Sequence, residues 1–233
     1  MFDFIVNLCF RIIRLGRIYL LFVCKGLTFT FDLSNIGMAA LFYFLLFILF
    51  CYFLGCVSTG YYYVLLFSKA DIRDTGSKST GATNVGRILG KKGFIITLII
   101  DILKGFLIAF LCRYFEFDGV KSILCVIALA CGHIWPVQLK FRGGKGIAVV
   151  MGFIGIWNFY MFLLIAVIVL IGYLFLRKFT ISGLIGVLSI PVYGLIIHYD
   201  YKIICLLLLL TGIIYIAHLE NLKQFLKPEN NKK

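Results

Sequence analysis

Beyond residue 38 the chain is a succession of long apolar runs broken by short polar islands, and no other feature constrains its fold as tightly. About 20 apolar residues in a helix span the roughly 30 Å hydrocarbon core of a bilayer. The runs predict helices near 39–67, 94–114, 122–139, 148–159, 160–176, 179–198 and 203–218. The expected fold is therefore an all-α integral membrane protein, a polytopic bundle of about seven transmembrane helices, or five if the shorter runs do not cross. Between residues 148 and 176 the run fits either one long tilted helix or two short helices hinged near Asn158. Composition removes the soluble alternative: 62% of the 233 residues are hydrophobic and 14% charged, against about 45–50% and 25% in a soluble domain. A chain of this length holds at most about seven spans, so any chemistry must sit in loops and helix ends.

Charge orients the bundle. Lys and Arg number 23 against 10 Asp and Glu, a formal charge of +13, which points to a polyanionic partner such as lipid head groups, nucleic acid or a phosphorylated substrate. On the seven-span assignment one face receives fifteen basic residues, among them Lys69, Arg73, Lys78, Arg87, Lys140, Arg142, Lys145, Arg177 and Lys178, and the other only Arg113, Lys121 and Lys202. The positive-inside rule puts the first face in the cytoplasm. Residues 1–31 do not fit, because Arg11, Arg14, Arg17 and Lys25 would then lie outside. The apolar run before Arg11 is too short for a span and lacks a small-residue cleavage site. Residues 1–37 are thus expected to be an N-terminal extension, an interfacial amphipathic helix or an untranslated stretch, with Met38 opening a single membrane-embedded domain over 38–233. The eight cysteines never fall at Cys-x-x-Cys spacing and lie mostly in apolar stretches. They are expected to pack as small hydrophobes, and no metal site is predicted.

Three polar islands fall on the basic face. The first, DIRDTGSKSTGATNVGRILGKKG from Asp71 to Gly93, mixes glycines, small hydroxyls and cations at a helix boundary. Glycines at 76, 81, 86 and 90 allow backbone turns, Ser77, Thr80, Thr83 and Asn84 add neutral donors, and Arg87 adds a bidentate fork; this suits oxyanions. A solvated basic loop is the plainer alternative. The second island, GHIWPVQLKFRGGKG from Gly132 to Gly146, ends in a glycine turn directly before an apolar helix. Amides at such a helix start, with Lys145, could hold a phosphate. Neither island carries the Lys-Ser/Thr of a nucleotide-binding P-loop. The third, HLENLK, sets His218 and Asn221 at i, i+3, where His218 is either a hydrogen-bonded anchor or a substrate contact. Between the first two, DILKG places Asp101 and Lys104 on one face of a membrane helix, as a structural ion pair or as a wall of the site. His133, His198 and the two tryptophans fit structural roles. No GxSxG, HExxH or His-x-x-x-x-Asp occurs.

In order and spacing these islands resemble the three cytoplasmic motifs of the bacterial acyl-phosphate:glycerol-3-phosphate acyltransferases, the PlsY family. There the motifs run G-S-[GK]-N-x-G-A-T-N-V-x-R, G-H-x-x-P-x-x-L-x-F-x-G-G-K-G and H-x-[ED]-N-I-x-R-L, with D-x-x-K-G between the first two. The match extends from Met38 to the C-terminus, with Ser79 in place of the usual Asn, Leu222 of Ile and Gln224 of Arg, and with Glu229 one position off.

The resemblance implies transfer of a fatty acyl group from acyl phosphate to the sn-1 hydroxyl of glycerol-3-phosphate, the first acylation of phospholipid biosynthesis, by short active-site loops at the cytoplasmic face of the bacterial inner membrane. It implies Ser77, Arg87, Lys145, His218 and Asn221 around glycerol-3-phosphate, and Thr83 with the backbone of Gly143 and Gly144 around the acyl phosphate. Ser77, Lys145, His218 and Asn221 are the expected catalytic set. Asn84 and Lys104 are expected to contact substrate too, with Asp101 and His133 in support. Partners would be the two substrates and membrane lipids, without nucleic acid, cofactor, metal or obligate protein partner. The competing class is a transporter or channel for phosphorylated solutes, which would place its site between repeats near the midplane.

Overall fold

The computed structural model describes residues 19–24, 27–32 and 37–226. The chain divides into two units, Met1–Phe47 and Ile48–Lys233. In the first, β1 (Tyr19–Cys24) and β2 (Leu27–Asp32) pair antiparallel, with Tyr19 opposite Asp32 and Cys24 opposite Leu27. The interfacial helix expected over residues 1–31 is therefore not what their described part forms. Thr and Phe alternate along β2, a period of two that suits a strand and not an amphipathic helix. The other residues of the expected extension before Gly37, and Lys227, Glu229, Lys232 and Lys233, lie outside the described residues.

From residue 38 every described element is helical. The order is α1 (Met38–Cys56), α2 (Thr59–Ser68), a 3-10 turn (Ile72–Asp74), α3 (Ala82–Tyr114), α4 (Gly119–Ile134), a second 3-10 turn (Val137–Leu139), α5 (Ile147–Trp157), α6 (Phe159–Leu176), α7 (Phe179–Ile196), α8 (Tyr201–Ala217) and α9 (Leu219–Leu226). The seven expected apolar segments are all helical, and among the described residues five stretches are by themselves long and apolar enough to cross a membrane: Met38–Ser68, Ala82–Tyr114, Gly119–Leu139, Phe159–Leu176 and Phe179–Ile196. The other two of the seven, Ile147–Trp157 and Tyr201–Ala217, are shorter apolar helices. At about 1.5 Å per residue α5 rises only about 16 Å, half of a bilayer core. Its missing turns are replaced by the glycine loop before it, which is folded back onto the end of α4. Residues 148–176 form two helices, as one of the alternatives held, and Asn158 caps the second by accepting from the Met161 N–H.

Helices pack through glycines where a lipid environment offers no hydrophobic drive to association and close backbone approach must serve instead. A Cβ on Gly132 would strike the Tyr52 carbonyl, which binds α4 to α1, and one on Gly105 would strike the Val149 carbonyl, which binds α3 to α5. Outward faces carry exposed Leu, Ile and Phe such as Leu49, Ile99 and Phe110, as a hydrocarbon solvent requires. α3 is interrupted at Gly90, whose φ of 70° and ψ of −167° are open only to glycine. The kink turns Ala82–Leu89 away from the rest of α3 and makes it a separate arm of the site.

Candidate active site

The four basic loops meet at one end of the helices. Arg73, ion-paired with Asp71, donates through Nη1 to the Leu139 carbonyl at 2.9 Å, and the Thr80 N–H donates to the Gly143 carbonyl at 3.1 Å. The Arg73 guanidinium beside Asp71 holds that carboxyl below its usual range. Lys145 Nζ bonds Asn221 Oδ1, and Lys178 lies over the Phe225 ring. The islands read separately along the chain thus share one surface.

Between them opens a cavity of about 550 Å³. Of the residues singled out from the sequence, Ser77, Thr83, Asn84, Arg87, Asp101, His133, Lys145, His218 and Asn221 line it. Lys104, Gly143 and Gly144 do not. Two helix starts also contribute, α3 with Ala82 and Thr83 and α5 with Ile147 and Ala148. First-turn amides have no carbonyl within their own helix to bond, and both dipoles place positive ends at the cavity.

Hydrogen bonds show what several of these residues hold in place. The Gly143 N–H donates to the Ile134 carbonyl at 3.0 Å and the Gly144 N–H to the His133 carbonyl at 2.9 Å, so neither amide is left for an acyl phosphate. Gly144 instead admits the His133 ring, since a Cβ there would collide with Nε2. Gly146, at φ 83°, makes the turn into α5. Of the four glycines expected to turn the first loop, only Gly76 and Gly90 adopt positive φ; Gly81 is the extended N-cap of α3, and Gly86 lies in the arm with Phe94 packed closely over it. Asn84 shapes the loop: Nδ2 donates to the carbonyls of Ile72, Thr75 and Ser79, while Oδ1 accepts from the Ser77 N–H at 3.0 Å. It holds Ser77 in place and has no free donor for substrate.

Asp101 and Lys104 form a buried ion pair at 2.8 Å. The ammonium also donates to the Val57 carbonyl and to Thr59 Oγ1, capping the break between α1 and α2. Lys104 thus braces the break and lies outside the cavity lining. Ser58, in that same break, donates to Thr80 Oγ1 at 2.8 Å and so carries the brace into the first loop. Ser58, Thr59 and Thr80 were not assigned this bridging role from the sequence; isolated hydroxyls at a helix break give no periodic signal.

His218 stands at the junction of α8 and α9, not within one helix face, and is buried. Its Nδ1 lies 2.8 Å from the Ile214 carbonyl. A carbonyl can only accept, so Nδ1 carries the proton and Nε2 of the neutral ring is the acceptor. Burial lowers the ring's pKa to about 4, opposed by the Ile214 bond and aided by Lys145. Burial also lowers Lys145, with Glu220 opposing and Arg87 adding to the shift.

A glycerol-3-phosphate acyltransferase family model matches residues 45–228, most of the chain. The chain belongs to the glycerol-3-phosphate acyltransferase family. A relative named glycerol-3-phosphate acyltransferase 1, from Desulfitobacterium hafniense (strain Y51), is 41% identical over 186 residues, covering 80% of this chain and 92% of its own. The Streptococcus pneumoniae (strain CGSP14) glycerol-3-phosphate acyltransferase is 33% identical over 77% of this chain and 88% of its own. Among solved structures, the integral membrane acyltransferase PlsY (YgiH) superposes with a TM-score of 0.74 in its glycerol 3-phosphate form, at 28% identity, covering 79% of this chain and 92% of that one. Its lysophosphatidic acid form gives 0.71 at 27% identity with the same coverage. The acyltransferase is an integral membrane enzyme of this family, and the transporter alternative is set aside.

Proposed function

We propose that this acyltransferase moves a fatty acyl group from an acyl phosphate to the sn-1 hydroxyl of glycerol-3-phosphate, giving 1-acylglycerol-3-phosphate and inorganic phosphate. One observation carries the proposal: a single cavity combines two helix N-termini, two cations and an apolar groove. Two phosphate groups and one acyl chain match that set of features. Arg87, Lys145, Ser77 and Asn221 would grip glycerol-3-phosphate, and the first turns of α3 and α5, with Thr83, would receive the acyl phosphate. The relatives' names and the ligands of the two PlsY forms support the acceptor and product.

In the reaction the hydroxyl oxygen attacks the acyl carbon, the carbon–oxygen bond to phosphate breaks, and the electron pair leaves with phosphate. Clamping both reactants converts a collision into an oriented step. Each amide aimed at the developing oxyanion would supply about 2.7–4 kcal/mol. His218 Nε2 accepts a hydrogen bond from the hydroxyl and points its oxygen at the acyl carbon. The proton leaves with the departing phosphate, which takes the electron pair of the broken bond, because burial disfavours a charged His218 ring. The basic loops, by the positive-inside rule, would face the cytoplasm of a bacterial inner membrane.

The test supplies purified protein in lipid nanodiscs and glycerol-3-phosphate with acyl phosphate, acyl-CoA or acyl carrier protein in turn, following lysophosphatidic acid and released phosphate. Turnover with acyl phosphate is expected. Efficient turnover with acyl-CoA and none with acyl phosphate would overturn the donor assignment.

A further inference from the structure

Below its polar mouth the cavity continues as an apolar groove along one face of α6, where Tyr173, Leu170, Ala166, Ile165 and Phe162 recur at helical spacing. From Tyr173 to Phe162 the helix rises about 16 Å. An extended chain advances about 1.2 Å per bond, so the groove takes roughly thirteen carbons. Leu170 is 59% and Tyr173 40% exposed, whereas deeper along the groove Ile165 is 1% exposed and Phe162 is partly buried. The flank beside Leu170 and Tyr173, near the reacting head, is the most exposed part of the groove.

Two observations define that end. Ile102 and Met151 are the deepest lining residues on α3 and α5. Next to them the two backbones touch, since a Cβ on Gly152 would collide with the Ile102 carbonyl. Phe162 fills the remaining side, its ring lying over Gly155, where a Cβ would sit 3.7 Å from the ring's Cδ2.

We propose that Phe162 sets the acyl-chain length that this enzyme prefers, acting as the floor against which the methyl end of the donor rests. This rests on the cavity being the acyl-transfer site, and not on which group leaves the acyl carbon. Ala166 lies one turn nearer the mouth, about 6 Å higher, so a larger side chain there would raise the floor.

The experiment measures kcat/KM of wild type, Phe162→Ala and Ala166→Leu in nanodiscs with lauroyl, myristoyl, palmitoyl and stearoyl phosphate, and with the matching CoA thioesters. Phe162→Ala should raise the stearoyl-to-myristoyl ratio at least about tenfold, and Ala166→Leu should raise the lauroyl-to-palmitoyl ratio by a similar factor, since a few methylenes in an apolar pocket discriminate on that scale. Shifts in opposite directions cannot come from general damage, and ratios within one variant do not depend on how much of it folds. Unchanged profiles in both variants, or equal loss for every chain length, would overturn the proposal. Activity of wild type with thioesters alone would overturn the acyl phosphate assignment instead, and the length profile would then be judged in the thioester series.

Discussion

Lys145 places a compact ammonium on Asn221 beside the Gly146 turn, a point charge whose geometry a planar guanidinium fork does not reproduce. Lys145→Ala should lower kcat/KM about 10²–10³-fold, Lys145→Arg should not restore it, and thermal midpoints should stay near that of wild type. Arg87→Ala, at an exposed residue of the mouth, should act mainly through the KM for glycerol-3-phosphate. His218 makes a prediction in pH. Its folded pKa, about 4, lies below its ordinary 6.5, so between those values the unfolded chain binds a proton that the folded one refuses. Stability should therefore fall as pH drops from 6.5 toward 4, and thermal midpoints of His218→Asn across that range should fall less steeply than those of wild type. A parallel pair of curves would remove His218 from the acid sensitivity. These residues were legible from the sequence because each is a letter of a spaced motif. What the sequence could not show is that Asn84, Gly143 and Gly144 already spend donors on neighbouring carbonyls, because a motif letter does not reveal where its hydrogen bonds go.

The break between α1 and α2 shows what a hydropathy pattern leaves out at the level of elements. Residues 39–67 look like one continuous run, yet the helix is interrupted at Val57–Ser58, and the freed Val57 carbonyl is capped by Lys104 from α3. At Gly90 the pattern gave the turn and the apolar helix after it, but not that the polar residues from Ala82 to Leu89 before it are helical too. The short α5 was by contrast one of the two alternatives the sequence offered, a helix near 148–159 ending at a hinge by Asn158. The Asp101–Lys104 pair was foreseeable too, because a charge in hydrocarbon demands a partner. Removing one member of a buried pair strands the other at a cost of about 3–5 kcal/mol. Asp101→Asn and Lys104→Met should each depress the thermal midpoint more than the double variant does, and strictly additive losses would assign the two residues separate roles.

For the molecule as a whole the gathering of four basic loops at one end sets the orientation. Cysteines placed at Lys78, Lys140 and Lys178 should resist an impermeant thiol reagent in intact cells and react after the inner face is opened. Lys202→Cys should react from outside, and the reverse pattern would invert the topology. The lateral opening beside Leu170 and Tyr173 has a kinetic consequence. A donor that arrives through that flank travels in a plane, so its effective concentration is its mole fraction among lipids and not its amount per litre. Spreading a fixed quantity of it through more inert lipid slows the enzyme, while the water-soluble acceptor obeys ordinary volume concentration throughout.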